Sequence, residues 1–165
     1  MKTPAEIEAK FWKTLSSDRV AMLGLTGEAG HSQPMSAQIL HDEKTRGPIW
    51  FFTSKETGLA RALGDGHRAM LHFSAKGHDL FASVEGDLVV DNDRAIIDRL
   101  WNRYVAAWYE GGKEDPKLLL VRFDPEHATV WLNANPLVAG AKLLLGRDPK
   151  REYRNNVVDL RMGSN

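Results

Sequence analysis

Seven runs of strand-forming residues follow one another along this chain, most of them joined by short polar turns rather than by helices. They are RVAMLGLT (19–26), PMSAQIL (34–40), IWFFTS (49–54), RAMLHFSA (68–75), LFASVEGDLVVD (80–91), KLLLVRFD (117–124) and HATVWLN (127–133). Parallel strands need long crossovers, usually helical, whereas strands joined by tight turns pair antiparallel. A doubly wound sheet is therefore excluded. The expectation is a mainly β (α+β) fold, an antiparallel barrel with helices packed outside it.

The punctuation agrees. Thr3 can cap a first helix with Pro4 at its first position, and Ile7, Phe11 and Leu15 then share one face. Gly27 and Gly30 suit a hairpin, and Pro34 sits at a strand start, where a missing N–H is tolerated. A short helix after residue 54 would stop at Gly64 or Gly66. Gly86 marks a bulge or bend. Asn92 or Asp93 caps a second long helix whose stripe runs through Ile96, Ile97, Leu100, Trp101, Tyr104, Val105 and Trp108, with Trp101 and Trp108 read as core. The sixth and seventh runs read as a hairpin closing around Pro125. Pro136 opens a last short apolar helix, the rest is polar, and residues 163–165 read as a loose flexible tail. At 165 residues the expectation is a single domain spanning 1–165.

Composition excludes several function classes. Lys plus Arg and Asp plus Glu both number 22, so no global field points to nucleic acid or an anionic membrane. With no cysteine there is neither a disulfide framework nor thiolate chemistry. The N-terminal stretch has no apolar signal-peptide core, and no run reaches the roughly 18 apolar residues that a spanning helix requires. These features read as a soluble, cytoplasmic protein.

Short motifs add little. GEAG (27–30) lacks the Gly-Lys-Ser/Thr of a phosphate loop, and DND (91–93) lacks the glycine and distal glutamate of a calcium loop. The six histidines show no metal-ligand spacing on a helix, so no metal site is expected; His72 reads as a core or rim residue. Ser32, Ser36 and Ser83 have no nucleophile-elbow glycines around them.

One stretch stands apart. WFFTSKETGLARAL (50–63) is a strand that ends in hydroxyls and a cation and then turns into a helix. Hydroxyls, free N–H groups and a lysine in one place suit an anion. The competing reading is that Thr53 and Ser54 simply cap the helix.

Three stretches taken together, QPMSAQ (33–38), FFTSKETGLARAL (51–63) and the run from EGDLVVDNDRAIIDRLW through WYEGGKEDPKLLLVRFDPEHATVWL, carry a resemblance. In order and spacing they resemble the FMN-binding split-barrel superfamily, the pyridoxamine 5′-phosphate oxidase-like proteins, and within it the bacterial general stress proteins. The resemblance runs from the first helix to about Leu132. It implies a split barrel, FMN as cofactor, and a homodimer with a flavin at each of two subunit-interface sites. Backbone of the strand Gln33, Pro34, Met35 and Ser36 would lie along the flavin ring. Gln33 replaces the arginine of the family's Arg-Pro-Met and brings no positive charge. Phe52, Thr53 and Ser54 would receive ribityl and phosphate oxygens. Trp131 would reach the flavin of the partner subunit.

The family's phosphate-holding cations fall, without gaps, on Gly58 and Leu59, while Thr57 keeps the hydroxyl. Lys55 is the expected replacement, with Arg61 as the alternative one helical turn beyond Thr57. The Arg-x-His ending of the oxidase is missing, which argues against vitamin B6 oxidation. The resemblance thus implies an FMN-binding general stress protein, read as a flavin-dependent oxidoreductase for an unknown small molecule. The alternatives are a non-enzymatic flavin or haem carrier on the same barrel, and a deazaflavin enzyme.

Overall fold

The computed structural model of the chain describes residues 2–27, 30–40, 46–133, 144–146 and 156–163. Helix α1 (Pro4–Asp18) starts at its expected cap: Thr3 Oγ1 accepts from the Glu6 N–H, and the Glu6 carboxylate accepts from the Thr3 N–H. Its buried face is Ile7, Phe11, Trp12 and Leu15.

Seven strands form one sheet: β1 (Val20–Leu25), β2 (Gln33–Ser36), β3 (Ile49–Ser54), β4 (Gly66–Ser74), β5 (Leu80–Val90), β6 (Leu118–Leu132) and β7 (Val157–Arg161). Their order is β2-β1-β4-β5-β6-β3, with β7 beside β6, and every pairing is antiparallel. β6 borders β5 along one side; on the other, its first half borders β3 and its second half β7. The sheet curls until its edges β2 and β3 meet at one bridge, between Gln38 and Trp50. The result is a mainly β split barrel with flanking helices α1, α2 (Gly58–Leu63), α3 (Arg94–Leu100) and α4 (Arg103–Ala106).

Two apolar clusters hold it. The larger fills the barrel, where Leu23, Ile49, Phe51, Leu71, Val84 and Phe123 are fully enclosed and α1 packs in. The smaller lies outside β3, where Trp50 and Phe52 meet Ile97, Leu100, Trp101, Val105 and Tyr109. One buried carboxylate is compensated: Glu8 sits 2.9 Å from Arg46 Nε and accepts from Nη2 at 3.0 Å. Arg46 also donates to the Arg161 carbonyl, tying α1 and β7 to the approach to β3.

Two expectations about the strands are overturned. Residues 117–133 form no hairpin around Pro125 but the single strand β6. The ladder steps from Glu85 opposite His127 to Gly86 opposite Pro125, which leaves Glu126 as an extra residue. A proline at a bulge forfeits no regular ladder bond, so it need not turn the chain. Gly86 is required there, since a Cβ would lie 2.1 Å from the Asp124 carbonyl oxygen. The seventh strand is instead β7, inside a stretch read as polar, with Leu160 buried against the barrel. The expected helix at Pro136 lies outside the described residues, as do 164 and 165; Met162, just before Gly163, is buried.

The long helix after Asp93 is two short ones. Asp93 caps α3, accepting from the Ala95 and Ile96 N–H groups. Trp101 then turns extended, and Asn102 caps α4 through Tyr104 and Val105 while its amide donates to the Leu100 carbonyl. An asparagine that satisfies backbone groups with its own side chain competes with helix continuation. The apolar stripe is broken with it. Trp101 packs against Phe52 and Tyr109, but Tyr104 is 68% and Trp108 85% exposed, so Trp108 is not a core residue.

Candidate functional site

The bridge between Gln38 and Trp50 brings the two quoted stretches together. Continued past that pair, the antiparallel register would set Ser36 opposite Phe52 and Pro34 opposite Ser54. No ladder forms there: β2 pairs with β1 alone, and β3 with β6 alone. The barrel wall splits between Gln33–Ser36 and Phe52–Ser54.

Strand geometry decides which groups face the split. Gln38 and Trp50 exchange hydrogen bonds with each other, and successive backbone groups alternate sides in a strand. The N–H and C=O of Ser36 and of Phe52, with the C=O of Pro34, therefore turn toward the opening. Met35 and Ala37 point into the barrel and are buried, whereas Pro34 and Ser36 are exposed on its outside. Gln33 donates its amide to Met35 sulfur at 3.3 Å.

At the far end of β3 the backbone turns through Ser54, Lys55 and Glu56. Thr57, not Thr53 or Ser54, caps α2: its Oγ1 accepts from the Ala60 N–H and donates to the Ser54 carbonyl. Those bonds use most of the capacity of Thr57, which makes it a brace for the turn. Ser54 Oγ accepts from the Glu56 N–H. Thr53 is buried, and its hydroxyl has one neighbour, Thr57 Oγ1 at 3.4 Å, too long for a strong O–H···O bond. Since Thr57 Oγ1 already donates to the Ser54 carbonyl, Thr53 is the donor in this pair, and its weakly held proton is one that a better acceptor would take over. Lys55 and Arg61 are exposed, and neither is in an ion pair among the described residues. A six-residue helix has little macrodipole, so positive charge here comes from side chains.

The structure does not bring Trp131 to this place. It stands on the outward sheet face, in a cross-strand row with Phe81 and Val157. Leu119 is the β6 residue opposite Thr53, and Trp131 is twelve positions further, about 40 Å of extended strand. Pro34 leads a neighbouring row through Met22, His72, Ser83 and Thr129, so Trp131 stands four strands away along the curved sheet. A groove of about 400 Å³ opens elsewhere on the sheet, lined in part by Ser83, Glu85, His127, Thr129 and Asp159. No group of three or more metal-ligating side chains occurs among the described residues.

Sequence reasoning passed over one contact. Tyr109 is buried, and its hydroxyl donates to the Thr53 carbonyl at 2.7 Å. Burial pushes this phenol up to about 12, with the Asp115 charge adding to the effect, so it is a neutral donor. Its place next to Trp108 in an aromatic segment gave no signal of a polar role.

The main-chain donors and acceptors of Ser36 and Phe52, which take part in no ladder among the described residues, with the Thr53 hydroxyl and the cations Lys55 and Arg61, fit a planar heterocycle that carries an anionic tail. Comparison with known proteins bears on which. The sequence pattern of the family described as pyridoxamine 5′-phosphate oxidase like matches residues 6–148. The chain is similar to the solved structure of the general stress FMN/FAD binding protein of Xanthomonas citri, with 58% identity over 79% of this chain and 92% of that one and a TM-score of 0.74. It is similar to a general stress family protein of Xanthomonas campestris pv. campestris at 59% identity, over 82% of this chain and 92% of that one, with a TM-score of 0.75. A general stress protein 26 of Jannaschia sp. CCS1 is 28% identical over 96% of this chain and 99% of that one, with a TM-score of 0.80. No curated protein matches.

Proposed function

The chain belongs to the pyridoxamine 5′-phosphate oxidase-like family, and from that membership we propose that it is a general stress protein that binds flavin, with FMN as its cofactor. The observation that carries this reading is the split between Gln33–Ser36 and Phe52–Ser54, unladdered among the described residues, beside Lys55 and Arg61, which have no ion pair among those residues. Pro34 and Ser36 offer main-chain groups to the ring edge. Thr53, Ser54 and Lys55 take the phosphate, Thr57 holds their turn, and Arg61 is the alternative cation.

When bound, the flavin supplies hydride or electron transfer; the protein supplies position and field. No carboxylate or histidine belongs to either stretch that borders the split, so no proton donor is named there. Flavin binding without turnover is for that reason the second reading. A haem carrier is less well served: of the side chains usual as axial ligands, the two stretches hold only Met35, which points into the barrel.

The site is shared in this proposal. Trp131 stands on the outward sheet face, away from the strand end Phe52–Ser54, so in this reading the flavin it reaches is the one on a second copy. The outward face gives that copy something to cover: Val20, Met22 and Phe81 are 57%, 40% and 36% exposed in one region of sheet. The absence of cysteine suits a reducing cytoplasm.

Absorption of the purified protein, followed by titration of the stripped protein with FMN, FAD and riboflavin, tests the reading. FMN should bind at least about tenfold tighter than riboflavin, because its phosphate adds charge-assisted hydrogen bonds. A colourless protein that ignores added FMN refutes it. Oxidation of reduced nicotinamide by the loaded protein then separates enzyme from carrier.

A further inference from the structure

The turn after α4 grips the strand end on which the proposed phosphate site is built. The Tyr109 hydroxyl donates to the Thr53 carbonyl at 2.7 Å. Eight residues later, the Lys117 carbonyl accepts from the Lys55 N–H at 2.9 Å. Thr53, Ser54 and Lys55 are thus fixed at both ends by one segment, 109–117. That segment is itself closed tightly. Asp115 accepts from the Gly111 N–H at 3.0 Å and from the Lys117 N–H at 2.9 Å, and a Cβ on Gly111 would come within 2.8 Å of Asp115 Cα. The Tyr109 ring is seated by the outer cluster, against Trp101, which in turn packs edge-on to Phe52 of β3.

We propose that Tyr109 is a positioning residue for the phosphate end of the flavin site and that the 109–117 turn acts as a clip on Thr53–Lys55. The inference rests on the flavin reading above and goes beyond it by adding residues that touch no cofactor. Its logic is geometric. The Thr53 hydroxyl and the Lys55 stem leave the backbone at the two gripped residues, so a slack strand end would misplace both relative to a phosphate. The flavin ring, held along β2, would be little affected. Preference for FMN over riboflavin should therefore depend on the clip, whereas affinity for riboflavin should not.

The test is the ratio of FMN to riboflavin dissociation constants, read from flavin fluorescence, in Tyr109→Phe and Asp115→Ala. The first deletes one hydrogen bond and keeps the ring; the second loosens the turn from its solvent side and leaves both apolar clusters intact. Each variant should lose about tenfold in FMN affinity with riboflavin within about twofold of the parent. Trp108→Ala, an exposed neighbour outside the clip, should keep the parent ratio. An unchanged ratio in both variants, or equal weakening of the two flavins, overturns the proposal while leaving the flavin reading intact. A parent protein that binds neither flavin overturns both. If Tyr109→Phe does not fold, the ratio in Asp115→Ala decides.

Discussion

Gln38 and Trp50 exchange both of their backbone hydrogen bonds, at 2.8 and 2.9 Å, and among the described residues this pair alone joins the two edges of the sheet. A barrel closed at one rung has a wall that is intact elsewhere and open beside that rung, which places the split between the two stretches proposed to hold a flavin. Gln38→Pro removes one of the two donors and leaves the Trp50 carbonyl without its partner. It should destabilise the protein by about 1–3 kcal/mol, measured by urea unfolding, and weaken FMN and riboflavin together.

Lys55 and Arg61 separate by substitution. Loss of a charge-assisted bond to phosphate costs about 1.5–3 kcal/mol, so Lys55→Ala should weaken FMN binding roughly ten- to a hundredfold and leave riboflavin nearly unchanged. If Arg61→Ala has that effect instead, the charge comes from α2. If neither variant changes FMN affinity, the phosphate is held elsewhere.

Trp131→Ala should perturb flavin fluorescence and weaken FMN binding, although Trp131 stands on β6, four strands along the sheet from Pro34 of its own chain. Light scattering should show a dimer. A monomer that is fully loaded with flavin contradicts the shared site.

Gly86 tolerates no side chain. Gly86→Ala would press a methyl group onto the Asp124 carbonyl, at 2.1 Å before relaxation, and overpacking of this kind costs typically about 1–3 kcal/mol. A fall of several degrees in the thermal midpoint is expected; an unchanged midpoint would mean that the bulge can shift its register.

Asp115 gives the clip a pH dependence. The Gly111 N–H and then the Lys117 N–H hold its carboxyl below the ordinary 3.8. A carboxylate with a depressed folded value stabilises the folded state fully above the unfolded value, and that contribution disappears as pH falls through the folded value. Asp115→Asn should therefore be less stable than the parent at neutral pH, and the difference should shrink and close as pH falls below the ordinary 3.8 and through the lowered folded value. A difference that persists in acid would assign the effect to geometry rather than charge.

Local chemistry made much of this protein legible in its sequence. Thr3 with Glu6, Asp93 and Pro34 act through neighbours a few residues away, so the α1 cap, the α3 cap and the start of β2 follow from residue type alone, while Gly86 marks an irregularity whose partner lies far along the chain. Runs of strand-forming residues bounded by turn signals likewise identified the strands β1 to β5, and the order of three stretches pointed to the family. Tertiary structure decided what depends on partners distant in the chain. Pro125 reads as a turn until Gly86 stands opposite it. Val157–Arg161 become a strand because the second half of β6 offers them an edge. Trp108 reads as core until Asn102 breaks the helix and leaves it in water. The split itself has no local signature: it exists because Gln38 and Trp50, twelve residues apart, pair once while their neighbours do not. The bond from Tyr109 to Thr53 spans 56 residues, and only the folded chain brings that hydroxyl to that carbonyl.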